Sequence, residues 1–306
     1  MHRPRAVGRR PISGLLLLDK PSGMTSNVAL QTVKRLYRAT KAGHTGSLDP
    51  LAEGMLPICL GEATKLSGFL LEADKTYRFR CRLGVITATG DAEGEVLERN
   101  SVHLPEHSAV EAVLRRFTGT VEQLPPMHSS LKHQGQRLYN LARQGIEVER
   151  RPRWITIYEL RLLGMGDATL DCEARCSKGT YIRTLAEDIG RALGCGAHVE
   201  ALRRTAVSPF TENQMIPLAR LKSLEPGAQD ALLLSPDRAI ADWPGVRVDA
   251  LCAHYLGTGQ PVQVPQAPAQ GHVRLYGPDE RFLGVGEILG DGRVAMRRLI
   301  RTSSDL

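Results

Sequence analysis

The residues best suited to chemistry in this chain fall in two short stretches. The first is Gly43-His44-Thr45-Gly46-Ser47-Leu48-Asp49-Pro50. Two glycines let the backbone turn tightly, and His44 offers a ring to stack or hydrogen-bond. Asp49 precedes a proline, which holds it extended, so its carboxylate is presented from a rigid bend. The second is Ser177-Lys178-Gly179-Thr180-Tyr181-Ile182-Arg183, a turn running into a helix with Tyr181 and Arg183 near its start. Read singly, the first is an ordinary turn with an Asx hydrogen bond and the second a helix start with a surface arginine. Together they make a chemical hypothesis. An aspartate in a cleft needs a counter-charge to stay ionised, and the planar fork of arginine pairs bidentately with a carboxylate.

The familiar cofactor signatures are missing. There is no G-x-x-x-x-G-K-[ST], no G-x-G-x-x-G after a strand and no H-E-x-x-H, nor a G-x-S-x-G elbow. His103 and His107 have i,i+4 spacing, but Pro105 lies between them. The six cysteines include no C-x-x-C pair and read as reduced thiols of a cytosolic protein. Any chemistry is therefore expected to run on side chains alone, with no cofactor and no metal. The longest aliphatic runs, 15–18 and 231–234, fall far short of the ~20 residues a bilayer span needs. The basic start before residue 15 does not read as a signal peptide, because its apolar part is short and runs into Asp19-Lys20. A cytoplasmic chain without a membrane partner is the expectation.

The 306 residues suit two domains. With 42% hydrophobic and 24% charged residues, the composition excludes a disordered or collagen-like chain. Net charge is +7, and it is clustered. Residues 1–45 carry nine Lys/Arg against the single acid Asp19, and residues 132–153 carry six against two. A third group is Arg293, Arg297, Arg298 and Arg301. Three such clusters favour a polyanion, because each phosphate neutralised releases counterions.

The elements that must position these groups follow from the patterning. Residues 15–19 and 56–60 read as buried strands. Ser26 reads as the N-cap of a helix with Leu30, Val33 and Tyr37 on one face. Residues 41–54 read as a loop and 63–71 as a short helix. Residues 75–83 alternate, with Tyr77, Phe79, Cys81 and Leu83 on one face and Thr76, Arg78, Arg80 and Arg82 on a basic outer face. A turn-rich loop at 87–94 and a helix at 106–117 follow. Residues 124–153, rich in Pro, Gly and basic residues, form an excursion from the core. Paired strands at 155–163 and 169–176, a helix at 180–193 and a strand at 199–207 complete this part. Pro226, Pro236 and Pro244 mark a boundary near 245, beyond which a short helix at 251–256 and three strands suggest a small mainly-β module. The whole is α+β, without a βαβ rhythm.

The run at 43–65, GHTGSLDPLAEGMLPICLGEATK, closely resembles the signature of the TruB family of tRNA pseudouridine synthases. Leu16-Leu17-Leu18-Asp19-Lys20-Pro21-Ser22-Gly23-Met24-Thr25-Ser26 is similar to the family's first motif and Tyr181-Ile182-Arg183 to its third. Tyr77 and Leu202 stand where the family has a base-stacking tyrosine and a late active-site leucine. The resemblance covers nearly the entire chain. It implies a pseudouridine-synthase catalytic domain over 1–245, built on a mixed, mostly antiparallel sheet, and a PUA-type RNA-binding domain over 246–306. It also implies a thumb insertion at about 124–153 that packs into the T-loop of tRNA, with RNA contacts from Lys132, Arg137 and Arg143. The thumb makes the chain similar to the stand-alone bacterial form, which needs neither guide RNA nor an obligatory protein partner. Ser47, Glu53, His128 and Leu131 depart from the usual family residues without touching a proposed reacting group.

By the same resemblance the substrate is the T-loop uridine at position 55, isomerised without a cofactor. Asp49 is expected to be catalytic and Arg183 to hold it ionised. Tyr77 is expected to stack on the uracil, and its hydroxyl is also a possible base. Tyr181 and Leu202 line the pocket, Lys20 and Pro21 support its floor, and His44 meets the space left when the base is flipped out. Attack on the sugar, attack on the base and removal of a sugar proton all remain open for Asp49. A non-catalytic tRNA chaperone and an N-glycosidase are the rival functions, separable by whether RNA is bound unchanged, loses uracil or gains pseudouridine.

Overall fold

Alternation of inward and outward side chains along residues 75–83 is the pattern around which the molecule is built. The computed structural model describes residues 8–103 and 106–301, so Arg3 and Arg5 of the first basic cluster, and Pro105, lie outside the described residues. In chain order the first half contains β1 (Gly14–Lys20), α1 (Ser26–Leu36), β2 (Ala42–His44), β3 (Glu53–Leu60), α2 (Ser67–Glu72) and β4 (Lys75–Leu83). A hairpin of β5 (Val85–Thr87) and β6 (Val96–Arg99) leads to α3 (His107–Arg116) and β7 (Gly119–Gln123). The excursion carries a second hairpin, β8 (Lys132–His133) and β9 (Gln136–Arg137), and α4 (Leu138–Arg143). Then come β10 (Arg153–Gly166), β11 (Thr169–Cys176), α5 (Ile182–Ala192), β12 (Ala197–Val207), β13 (Ile216–Pro217), α6 (Leu218–Ser223) and α7 (Pro226–Asp230). Last are β14 (Gly245–Arg247), α8 (Ala250–Gly257), β15 (Gly271–Tyr276), β16 (Phe282–Ile288) and β17 (Val294–Leu299).

One nine-stranded sheet runs β13-β1-β3-β12-β4-β11-β10-β7, with β2 added to β3. The pairs β1–β13 and β3–β12 are parallel and the others antiparallel, as expected of a mixed, mostly antiparallel sheet. The four-leucine run of β1 is explained by burial on both faces, which removes any need for alternation. Leu16 and Leu18 join a core with Phe79, Ile157 and Ile189, while Leu15 and Leu17 join a second with Met55, Phe210 and Leu66. Each such side chain withdrawn from water contributes roughly 1.5–3 kcal/mol. β14-β15-β16-β17 form a separate four-stranded sheet. It starts at Gly245 and packs against the first sheet. Phe282, Val285 and Ile300 are buried in the same cluster as Leu15 and Leu17.

Local expectations needed four corrections. The N-cap of α1 is Thr25, whose hydroxyl accepts from the Val28 N–H at 3.2 Å; Ser26 is used elsewhere, as described below. The 41–54 loop contains β2 and the start of β3, because the β1–β3 ladder extends to Lys20↔Gly54. The 63–71 helix is a 3₁₀ segment, Gly61–Leu66, followed by α2. The helix expected from 180 begins at Ile182, because Tyr181 is extended. The outer face of β4 is not a free basic surface. Arg80 pairs with Asp171 at 2.7 Å and Arg78 with Glu173 at 2.9 Å. In the third group Arg293 pairs with Asp291 and Arg297 with Glu287, so two of its four arginines are neutralised.

Candidate active site

The 45–52 loop between β2 and β3 carries Asp49 into a cleft of about 1080 Å³. Gly54 makes this possible. Its φ is +99°, and a Cβ there would stand 2.3 Å from the Arg204 carbonyl oxygen. Only glycine lets β3 come this close to β12, which brings Leu202 and Arg204 beside the loop.

The first motif braces the loop from below. Lys20 is fully buried, and its Nζ donates to the carbonyls of Pro21 at 2.8 Å, Met24 at 2.7 Å and Pro50 at 3.4 Å. Burial brings its ammonium down to about pKa 8, with the charge of Asp49 acting in the opposite direction. The Ser26 hydroxyl donates to the Leu48 carbonyl at 2.9 Å and accepts from the Leu48 N–H at 2.7 Å. This is why Ser26 faces inward and Thr25 caps the helix. Pro21 is exposed and contributes only its carbonyl, so the expected floor is made by Lys20 and not by the proline ring.

Asp49 and Arg183, 134 residues apart, meet in the cleft. The Arg183 Nε lies 2.9 Å from Asp49 Oδ2 and its second terminal nitrogen 3.4 Å from Oδ1. Arg183 is 5% exposed, and its other donors reach the carbonyls of Thr89 at 2.8 Å and His128 at 2.6 Å. All three contacts fix the fork, so it presents charge to Asp49 without rotational freedom. The Asp49 side chain is 39% exposed through the mouth of the cleft and enclosed on its other sides. Enclosure raises its pKa above the ordinary carboxylate value; Arg183 opposes the rise and nearby Asp91 adds to it.

The other expected residues gather around this pair. His44, Tyr77, Tyr181 and Leu202 line the cleft with Arg137 and Arg143 from the excursion. Lys132 does not line it; with Gly135 and Gln136 it faces a separate open groove along the β8–β9 hairpin. His44 Nδ1 is buried without a hydrogen-bond partner among the described residues, and burial lowers the imidazole pKa, with Arg204 and Arg137 adding to the effect. The neutral ring is the form this environment favours. Burial raises the Tyr77 phenol pKa, and the Arg204 cation opposes the rise. Tyr181 is set by Gln123, whose amide accepts from the Tyr181 N–H at 2.8 Å and donates to its carbonyl at 3.0 Å.

Three contributors were missed in the sequence. Asp91 is buried, accepts from the Thr89 hydroxyl at 2.5 Å and lies 3.8 Å from Arg183 Nε. The stretch 87–94 reads as a turn, and no local signal marks its aspartate as facing Arg183. Gln123 and Arg204 lie inside strands, where only the tertiary neighbours reveal their use. Arg204 is 1% exposed and donates to the carbonyls of Met55 at 2.7 Å and Gly46 at 2.9 Å. It therefore ties the Asp49 loop to β12. Among the described residues, no group of three or more His, Cys, Asp or Glu is placed to hold a metal ion, and no helix is long and apolar enough to cross a membrane.

Known proteins match this chain along its length. Residues 34–182 match the family described as TruB family pseudouridylate synthase (N terminal domain). Residues 183–240 match the tRNA pseudouridylate synthase B C-terminal domain, and residues 244–300 match Pseudouridine synthase II TruB, C-terminal. The tRNA pseudouridine synthase B of Nitrosococcus oceani is 58% identical over 307 residues, covering 99% of this chain and 100% of the other. That of Coxiella burnetii is 54% identical over 297 residues, 96% of each. Among solved structures, a chain of the Cbf5-Nop10-Gar1 complex superposes with a TM-score of 0.72 over 95% of this chain and 86% of that one. At 24% identity this likeness speaks for the fold alone.

Proposed function

The chain belongs to the TruB family of pseudouridine synthases and is a tRNA-modifying isomerase, and on that premise we propose that Asp49 is the carboxylate that drives isomerisation of the T-loop uridine at position 55. The observation that carries this reading is the ion pair of Asp49 with a buried, triply anchored Arg183 in the cleft that Tyr77, Tyr181 and Leu202 also line. The reaction breaks the N1–C1′ bond, turns the base and joins C5 to C1′. C5 loses a proton and N1 gains one, so no redox change or group transfer occurs. A carboxylate, a pocket that retains the free base and a proton acceptor are sufficient, and no cofactor is needed.

In this reading the uridine leaves the T-loop stack before it reacts. Tyr77 stacks on the flipped uracil, a contact worth roughly 1–3 kcal/mol for a base on an aromatic ring. Its hydroxyl is the candidate proton acceptor; burial raises its pKa and the Arg204 cation opposes that rise. Tyr181 and Leu202 close the pocket, and the neutral ring of His44 meets the space the base vacates. Arg137 and Arg143 reach the RNA from the excursion, which acts as a thumb. The sheet from Gly245 onward serves as an RNA-holding module of PUA type. No guide RNA or protein partner is required, and the enzyme works in the cytoplasm.

The deciding experiment is nucleoside analysis of a tRNA transcript incubated with wild-type protein and with Asp49→Asn. The substitution keeps shape and removes charge, while the phosphate contacts that dominate affinity lie elsewhere. Pseudouridine formation is expected to vanish while tRNA affinity stays within a few-fold. Turnover within about tenfold of wild type would remove Asp49 from its role. Free uracil from the wild type would point to a glycosidase, and unchanged bound tRNA to a chaperone. A T-arm hairpin in excess EDTA should be modified at the normal rate.

A further inference from the structure

Resting on the reading that the substrate is an RNA loop, we propose that Glu93 is a specificity-determining residue whose carboxylate accepts from the exocyclic amino group of an unpaired base next to the target uridine.

Three carboxylates line the cleft: Asp49, Asp91 and Glu93. The first two face Arg183, whose Nε lies 2.9 Å from Asp49 and 3.8 Å from Asp91. Glu93 is exposed, and among the described residues its carboxylate has neither an ion pair nor a hydrogen bond. The nearby cations are committed elsewhere. Lys20 is fully buried, and its ammonium donates to the carbonyls of Pro21, Met24 and Pro50, one for each of its three protons. Arg183 is held by Asp49, Thr89 and His128, and Arg204 is turned to Met55 and Gly46. Glu93 therefore meets Lys20 only through its field: burial lowers the Lys20 pKa, and the charges of Asp49 and then Glu93 oppose the fall.

The main chain that carries Glu93 is fixed. Asp91 Oδ1 accepts from the Glu93 N–H at 3.1 Å and from the Thr89 hydroxyl at 2.5 Å. The Ala92 N–H donates to the Val199 carbonyl of β12 at 3.0 Å. A Cβ on Gly94 would stand 2.3 Å from the Thr89 hydroxyl oxygen, so the turn closes only around glycine. The carboxylate is thus presented to the cleft from a rigid turn between β5 and β6.

Charge then selects what it meets. A bare carboxylate in a site that receives phosphates weakens binding, because like charges are brought together. Only a donor on the substrate offsets that cost. The RNA backbone follows the cations of the thumb, Arg137 and Arg143, and Glu93 is paired with neither among the described residues. It is left to the base edges, which an unpaired loop exposes. Uracil offers one N–H between two carbonyl oxygens, and those oxygens repel a carboxylate. The amino groups of cytosine, adenine and guanine each offer two N–H donors, and a glutamate accepting from such a group is a direct readout of the base. Because the target uracil is assigned to Tyr77, Tyr181 and Leu202, the base that Glu93 reads is a neighbour.

The test measures binding and turnover of the full-length protein with T-arm hairpins in which each loop base flanking the target loses its amino group in turn. Pyrimidin-2-one riboside replaces cytidine, purine riboside replaces adenosine and inosine replaces guanosine. One of these hairpins should bind the wild type about tenfold more weakly than its parent. Glu93→Ala should bind that same pair within twofold of each other, which is the signature of a direct contact in a double-mutant cycle. It should also raise KM for the parent about tenfold, leave kcat within about twofold and keep the melting temperature, since the side chain supports nothing in the fold. The proposal is overturned if no amino deletion weakens wild-type binding more than twofold, or if the loss persists in Glu93→Ala. Tighter binding of every hairpin to Glu93→Ala, by one common factor, would show a carboxylate that only repels phosphate and overturns it equally. So does coupling of Glu93 to a 2′-deoxy substitution or to 3-methyluridine at the target in place of an amino deletion. The coupling is read from binding, so a wild type that discriminates but forms no pseudouridine supports base reading while counting against the proposed reaction, and one that forms pseudouridine without discriminating does the reverse.

Discussion

The two faces of β4 use the same kinds of residue to opposite ends. On the outer face Arg78 and Arg80 are about half exposed and each pairs with a carboxylate on the neighbouring strand. On the inner side, where Tyr77 meets the cleft, the nearby charges are buried and are held mainly by backbone carbonyls: Lys20 by three, Arg183 and Arg204 by two each. Exposed pairs are screened by water and salt and contribute little. Charges withdrawn from water interact strongly and hold position, but their removal leaves a partner stranded. The outer ladder therefore gives solubility and register, while the inner set supplies a fixed field around Asp49.

The largest effect beyond loss of Asp49 itself should follow from breaking the inner set. Arg183→Met leaves Asp49 without its cation and strands the Thr89 and His128 carbonyls. Loss of one partner of a buried pair costs about 3–5 kcal/mol, so a large fall in thermal stability and a drop in kcat of about 10³-fold or more are expected. The pH profile sharpens the point. In the proposed reaction Asp49 acts ionised, and its pKa is already raised by burial, so activity should fall as pH drops through a value above the ordinary carboxylate range. Without Arg183 that acid limb should move to still higher pH. A limb that stays in place would show that Arg183 does not act through the charge of Asp49.

Tyr77→Phe should come next, keeping the stacking ring and deleting the hydroxyl. A fall in single-turnover rate of roughly 10²-fold is the scale of general base catalysis; a near-normal rate would leave Tyr77 as a platform only. Smaller again is Arg298→Gln on the second sheet. Among the described residues Arg298 reaches only the Arg297 carbonyl, whereas Arg293 and Arg297 are paired with acids. It should lower the salt slope of tRNA binding by about one counterion, and Arg297→Gln by less. Because Phe282, Val285 and Ile300 share a core with Leu15 and Leu17, such point changes probe the second sheet more cleanly than its deletion. The smallest effect belongs to the outer ladder: Arg80→Ala should leave kcat unchanged and shift the melting temperature by no more than about 2 °C. A marked loss of activity there would erase the distinction between the faces.

Much of the architecture was legible in the chain because it is written locally. The period-two pattern at 75–83 is β4 to the residue and the strand at 169–176 is β11 to the residue, while 155–163 differs from β10 only at its ends. Motif identity also named Asp49, Arg183, Tyr77, Tyr181, His44 and Leu202 together, and they line one cleft. What the sequence could not carry is which polar group faces which. Ser26 and Thr25 are adjacent and equally suited to cap a helix; the choice falls to Thr25 only because the Leu48 backbone arrives from 22 residues away and takes the serine. Asp91 in a turn and Arg204 in a strand look like surface residues until their neighbours are known. Local propensity and hydrophobic period act over a few residues and so are readable from the chain. Burial, partner choice and the resulting pKa shifts depend on groups distant in the chain, from 22 residues for Ser26 and Leu48 to 134 for Asp49 and Arg183, and only the tertiary packing decides them.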